Sequence, residues 1–211
     1  MLLLILLAPG GKTESATAIM STTLESKFID RGLKDAGSVI QPSVDLFFGD
    51  YYAGVWSAFE VAGSYDEINL YAGTYQSLHP LLSLDAGFIH YEINGNDQQE
   101  PYLGLILEYL FRPSLYLYYN FDLETLFAEG TFSSRVELDS PFDLKWKVLL
   151  GTGIPENGPA WSYAQGSLDF VHEVKQGLDV GIGVRGNVRD VNLNAGKRSF
   201  LWGGITLDYT Y

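Results

Sequence analysis

Leu115-Tyr116-Leu117-Tyr118-Tyr119-Asn120-Phe121-Asp122 sets Leu115, Leu117, Tyr119 and Phe121 against Tyr116, Tyr118, Asn120 and Asp122. A period of two marks a strand with two unlike faces, because successive side chains point to opposite sides of a sheet. A helix would scatter both sets around its axis. The alternation recurs downstream: Leu144, Trp146, Val148 and Leu150 alternate with Lys145 and Lys147. Val180, Ile182, Val184 and Val188 are set against Asp179, Gly181, Arg185 and Asn187. The last segment sets Leu201, Ile205, Leu207, Tyr209 and Tyr211 against Thr206, Asp208 and Thr210.

Extended along the chain, the pattern predicts twelve strands: 21–32, 38–48, 51–60, 65–76, 81–92, 101–110, 114–123, 126–138, 143–152, 162–173, 178–189 and 199–211. Even-numbered segments end in turn signals, such as Gly49-Asp50, His79-Pro80, Arg112-Pro113, Asp139-Ser140-Pro141 and Lys175-Gln176-Gly177. Odd-numbered ones end in longer polar stretches, 94–100, 155–161 and 190–198. Short turns on one side and long loops on the other describe an all-β, closed antiparallel up-and-down barrel. An even strand count and strands near ten residues suit a transmembrane barrel.

Composition agrees. The 211 residues include 14 Tyr, 12 Phe and 23 Gly but only 18% charged residues, a balance rare in soluble α/β enzymes. A formal net charge of −13 lacks the basic footprint of a nucleic-acid binder. The absence of cysteine excludes disulfide scaffolds and thiolate metal sites. Leu2 to Leu7 is too short an apolar run to span a bilayer as a helix, which needs about 20 residues. It reads as the core of an export signal over 1–18, with Ala16-Thr17-Ala18 as the cleavage site and 19–211 as the barrel, although no Lys or Arg precedes it.

Alternation alone leaves open which face is outside. Three features favour an apolar exterior over a lipocalin-like soluble barrel. Twelve strands enclose too wide a lumen for side chains to fill as an apolar core. Aromatics such as Tyr51, Tyr52, Tyr109, Phe111 and Phe170 gather near segment ends, as in interfacial girdles. The chain also closes on Tyr211 within an alternating strand. The polar faces then give a lumen lined by Lys27, Arg31, Glu67, Tyr71, Glu108, Tyr118, Asp122, Glu129, Arg135, Lys145, Lys147 and Arg185. Inward acids outnumber inward bases, which predicts a cation preference. Inward aromatics, including Tyr52, Trp56, Tyr75, Tyr116 and Trp202, predict a narrow passage.

Glu25-Ser26-Lys27-Phe28-Ile29-Asp30-Arg31-Gly32, Val39-Ile40-Gln41-Pro42, Tyr52-Ala53-Gly54-Val55-Trp56-Ser57 and Glu67-Ile68-Asn69-Leu70-Tyr71-Ala72-Gly73 resemble the TorF-type family of outer-membrane porins. The resemblance covers the first third to 40% of the chain and implies a small exported barrel of no established substrate.

Catalytic motifs fail. Gly181-Ile182-Gly183-Val184-Arg185-Gly186 has dinucleotide-loop spacing, but the glycines lie inside a strand pattern and no helix follows. Gly10-Gly11-Lys12-Thr13 lacks the preceding strand and first glycine of a phosphate loop. His172-Glu173 lacks the second histidine of a zinc-protease helix, and no triad groups with His79 or His90. The expectation is a bacterial outer-membrane barrel, not an enzyme, without cofactor or metal. It would meet the lipid bilayer, small hydrophilic solutes or cations, and the barrel-assembly machinery. A non-conducting, partner-binding barrel is the alternative.

Overall fold

The computed structural model describes residues 16–190 and 199–211. Its strands are β1 (Thr17–Glu25), β2 (Phe28–Asp30), β3 (Leu33–Ala36), β4 (Val39–Phe48), β5 (Tyr51–Glu60), β6 (Asp66–His79), β7 (Leu82–Ile93), β8 (Asn96–Leu107), β9 (Ser114–Asn120), β10 (Thr125–Glu137), β11 (Asp143–Pro155), β12 (Trp161–Lys175), β13 (Leu178–Arg189) and β14 (Ser199–Thr210). Twelve of them, β1 and β4 to β14, form a closed antiparallel barrel in which each strand pairs with its neighbours along the chain. Closure comes from β1 against β14, with Ile19 opposite Thr210 and Glu25 opposite Gly204. Closure leaves no edge strand, so every wall strand has a partner on both sides.

The outward set is the one the alternation marked. Leu115, Leu117, Ile182, Ile205 and Leu207 are exposed, and Val180 lies opposite Leu207 on the same face. An apolar exterior with polar and ionic side chains inside inverts the arrangement of a soluble barrel. In water so large an apolar surface would associate; in a bilayer it is the solvated surface. The barrel is therefore read as membrane-spanning.

Inside, five tyrosine rings each lean over the glycine directly opposite on the neighbouring strand. Tyr71 covers Gly54, Tyr52 covers Gly73, Tyr102 covers Gly87, Tyr116 covers Gly104 and Tyr163 covers Gly151. A Cβ on Gly104 would run into the Tyr116 ring, whose hydroxyl donates to Asp85 at 2.8 Å. Gly104→Val is thus expected to cost about 1–3 kcal/mol by overpacking. Chemical unfolding in lipid vesicles measures it, and an unchanged midpoint would refute the interlock.

Three expectations change. Segment 21–32 is not one strand. β1 ends at Glu25, and β2 and β3 form a separate hairpin turning at Arg31 and Gly32, both with positive φ. Local pairing inside the hairpin preserves the alternation that made the segment look continuous. Residues 94–100 are not a long loop. Asn94 (φ 50°) and Gly95 (φ 76°) form a two-residue turn, and β8 starts at Asn96. Asn-Gly favours that turn because both positions need positive φ; the polar run after it is strand rather than loop. Segment 101–110 ends early, since β8 stops at Leu107 and the connection to β9 covers 108–113.

The two rims are otherwise as expected. The β11–β12 connection shares one rim with the Asn94-Gly95 turn and the 26–38 hairpin. Pro113, Pro141, Thr17 and Thr210 lie at the other, where Ala18 N donates to Tyr211 O at 3.1 Å. β1 takes in Thr17 and Ala18, the last residues of the expected export segment; residues 1–15 lie outside the described residues, as do 191–198 of the third long loop.

Candidate functional site

The lumen has two unlike halves. On the β4–β10 side the inward side chains pack on one another. Tyr52 and Tyr116 both donate to Asp85, at 2.6 and 2.8 Å; Tyr71 donates to Asp45, and Tyr116 stacks on Tyr118 with centroids 5.8 Å apart. Apart from half-buried Tyr71, these residues are buried although they face a channel axis, so this half is filled. The Tyr52, Tyr71 and Tyr116 hydroxyls each find a carboxylate, which removes the cost of an unpaired buried polar group.

On the β10–β14 side a ladder of ion pairs climbs the wall from the short-turn rim. Arg135 binds Asp143 at 2.6 Å and Asp179 at 3.2 Å, and Lys145 reaches Asp179 at 3.6 Å. Higher up, Arg185 bridges Asp169 at 2.7 Å and Glu25 at 3.0 Å. Apart from buried Arg185, these groups remain partly exposed, as they would along a wetted wall.

The 26–38 hairpin crosses between the halves at the loop-side mouth. Phe28 packs on Trp56 and Tyr65, with centroids 5.7 and 5.6 Å away. At the tip, Arg31 makes a bidentate pair with Glu100, at 2.7 and 2.5 Å. Trp161 Nε1 donates to Arg31 O at 3.1 Å, and Asn187 Nδ2 donates to Gly32 O at 3.5 Å. One short hairpin thereby contacts β5, β8, β12 and β13. Beneath it lies a cavity of about 40 Å³, room for a few waters.

The twelve residues singled out from sequence separate into groups. Arg31, Glu67, Tyr71, Tyr118 and Glu129 line that one cavity. Glu67 accepts from Tyr65 OH at 2.5 Å and Asn69 Nδ2 at 2.8 Å, and Glu129 accepts from Tyr163. Arg135, Lys145 and Arg185 form the ladder, and Lys147 lies half-buried beside it, opposite Ser133 and Ser167. The other three sit at the rims. Lys27 donates to Leu201 O at 2.7 Å, and exposed Asp122 accepts from Gln99 N at 2.8 Å in the turn after β9. Glu108 holds Arg112 at 2.9 Å in the turn after β8. Burial pushes the Glu108 carboxyl up, but hydrogen bonds from Arg112 and Tyr75 outweigh it and hold the group below its usual range.

Glu100, Tyr91, Asn69 and Phe127 were not singled out. Glu100 was hidden in the expected 94–100 loop. The Asn94-Gly95 signal, followed through, continues the alternation inward over Gln98, Glu100, Tyr102, Gly104 and Ile106.

No protein-family model matches the chain, and no curated protein does. Among solved structures it is similar to the NanC porin, at 8% identity and a TM-score of 0.62, over 90% of this chain and 98% of that one. It is also similar to the KdgM porin in complex with disordered oligogalacturonate, at 10% identity and a TM-score of 0.63, covering 92% and 99%. The Acinetobacter baumannii outer membrane protein Omp33 follows at 9% identity and a TM-score of 0.53, covering 92% and 97%. The likeness is one of fold: a barrel architecture shared with outer-membrane porins.

Proposed function

We propose that the chain is a narrow, porin-like barrel of a bacterial outer membrane that passes small hydrophilic solutes and prefers cations. The supporting observation is the closed twelve-stranded wall with an apolar exterior and an ion-lined interior. The TorF-type strings fall on the 26–38 hairpin and its approach, on the start of β4, on β5 and on β6, the hairpin and the wall strands beside it. On this reading residues 1–18 act in export, the barrel-assembly machinery inserts the barrel, and no catalysis is assigned. KdgM was solved in complex with disordered oligogalacturonate; the carboxylate-rich lumen here argues for positively charged solutes.

Planar-bilayer recording tests the reading. At low ionic strength the reversal potential should favour cations, and the preference should fade near 1 M salt, where the Debye length is about 3 Å. Asp169→Asn together with Asp208→Asn should weaken it, because lumen charges tune selectivity. An anion-favouring reversal potential would remove the cation preference. The hairpin bridging the mouth favours a second reading, a non-conducting barrel, and absence of current from folded protein would select it.

A further inference from the structure

The hairpin tip carries a cation into a pocket made by the wall. Arg31 adopts φ 44°, the left-handed region that a residue with a Cβ occupies only when its surroundings hold it there. What holds it is a matched set of contacts. Its guanidinium meets both oxygens of Glu100, and its carbon lies 3.8 Å from the Phe127 centroid and 5.2 Å from that of Tyr118. Tyr91 OH donates to the same carboxylate at 2.8 Å, and Glu100 is 0% exposed. A carboxylate fork beside aromatic faces recognises a planar organic cation better than a small hydrated ion.

Every one of these groups except Arg31 belongs to the wall: Tyr91 on β7, Glu100 on β8, Tyr118 on β9 and Phe127 on β10. The groups around the guanidinium thus come from the wall, while Phe28 and Asp30 of the hairpin help to close the cavity beside it. The adjoining cavity adds Glu67, Glu129 and Asn69, and Asn69 Oδ1 has no hydrogen-bond partner among the described residues although the residue is only 3% exposed. The arrangement offers more acceptors than Arg31 uses.

We propose that this wall pocket is a binding site for solutes with a guanidinium or primary-amine head. Arg31 is its tethered occupant, so solute and hairpin compete for Glu100. The competition deepens the porin reading and rests on it for passage across the membrane; binding itself does not.

The probe is agmatine, which carries both head groups, applied to the full chain. Wild type, Arg31→Ala and the double variant Arg31→Ala/Glu100→Gln are compared by calorimetric binding and by bilayer current, with equal added NaCl as control. Arg31→Ala should bind agmatine at millimolar concentration and lose current to it. Wild type and the double variant should each bind at least about tenfold more weakly. If Arg31→Ala fails to fold, Arg31→Gln is read the same way. Agmatine binding no tighter to the Arg31 variant than to wild type overturns the proposal, as does binding indifferent to Glu100→Gln. Binding without current keeps the site and removes the pore; current through an Arg31 variant that binds no agmatine keeps the pore and removes the site.

Discussion

Leu117→Arg is expected to lower the unfolding free energy of the barrel in lipid vesicles by about 2–4 kcal/mol, the cost of a basic side chain at the bilayer midplane. Leu117 lies midway along β9, faces outward at 45% exposure, and has Leu103 and Ala128 opposite it on the two flanking strands. Neither partner offers the guanidinium a hydrogen bond. Leu123→Arg, in the turn after β9, is the control. It is equally apolar and 51% exposed, but lies at the rim, where the cost falls to about 0–1 kcal/mol. Urea titration of both variants separates the readings of the exterior. A barrel whose outside faces water would tolerate Arg at either position, because an exposed leucine contributes little to a soluble fold. A depth-dependent cost requires a bilayer, and equal costs at the two positions would contradict the membrane reading.

The wall was legible because it obeys one rule repeated twelve times. Leu115 and Leu117, or Ile182 and Val184, carry their face in their spacing, and the topology follows from short turns alternating with longer connections. Places where that rule changes hands were not legible. The polar run after Asn94-Gly95 resembles a loop because a strand projecting beyond the bilayer has no need of apolar residues on its outer face. Residues 21–32 resemble one strand because a hairpin keeps the same period while leaving the wall. The candidate site suffered most from this, since Arg31 and Glu100 fall on those two segments and their pairing spans 69 residues. Alternation says which way a side chain points but not which inward groups meet across a lumen. The acidic majority could be counted, whereas the sorting of Arg135 and Lys145 into a ladder, and of Arg31 into a pocket, needed the barrel to close.

Glu100→Gln is expected to free the hairpin while leaving the barrel standing. Removing one partner of a buried ion pair costs about 3–5 kcal/mol when the remaining charge stays buried. Arg31 has an escape that a wall residue lacks, because it sits at the tip of a hairpin whose two strands pair only with each other. Undocking returns the guanidinium to water and, besides the Trp161 and Asn187 bonds to the tip carbonyls, breaks no hydrogen bond between wall strands. The loss should therefore appear as local opening, with only a small change in global unfolding. Lys27, Arg31 and Lys34 make the segment a trypsin substrate whenever it opens. At about 1.4 kcal/mol per factor of ten, cleavage there should rise roughly a hundredfold or more when opening is in fast equilibrium. Phe28 against Trp56 and the Gly37 N to Glu60 bond at 2.7 Å hold the hairpin base, so the tip should open first. Unchanged cleavage would mean that the base contacts alone fix the hairpin and that Glu100 is dispensable. A large fall in the urea midpoint with the hairpin still protected would make the Arg31–Glu100 pair a brace of the wall.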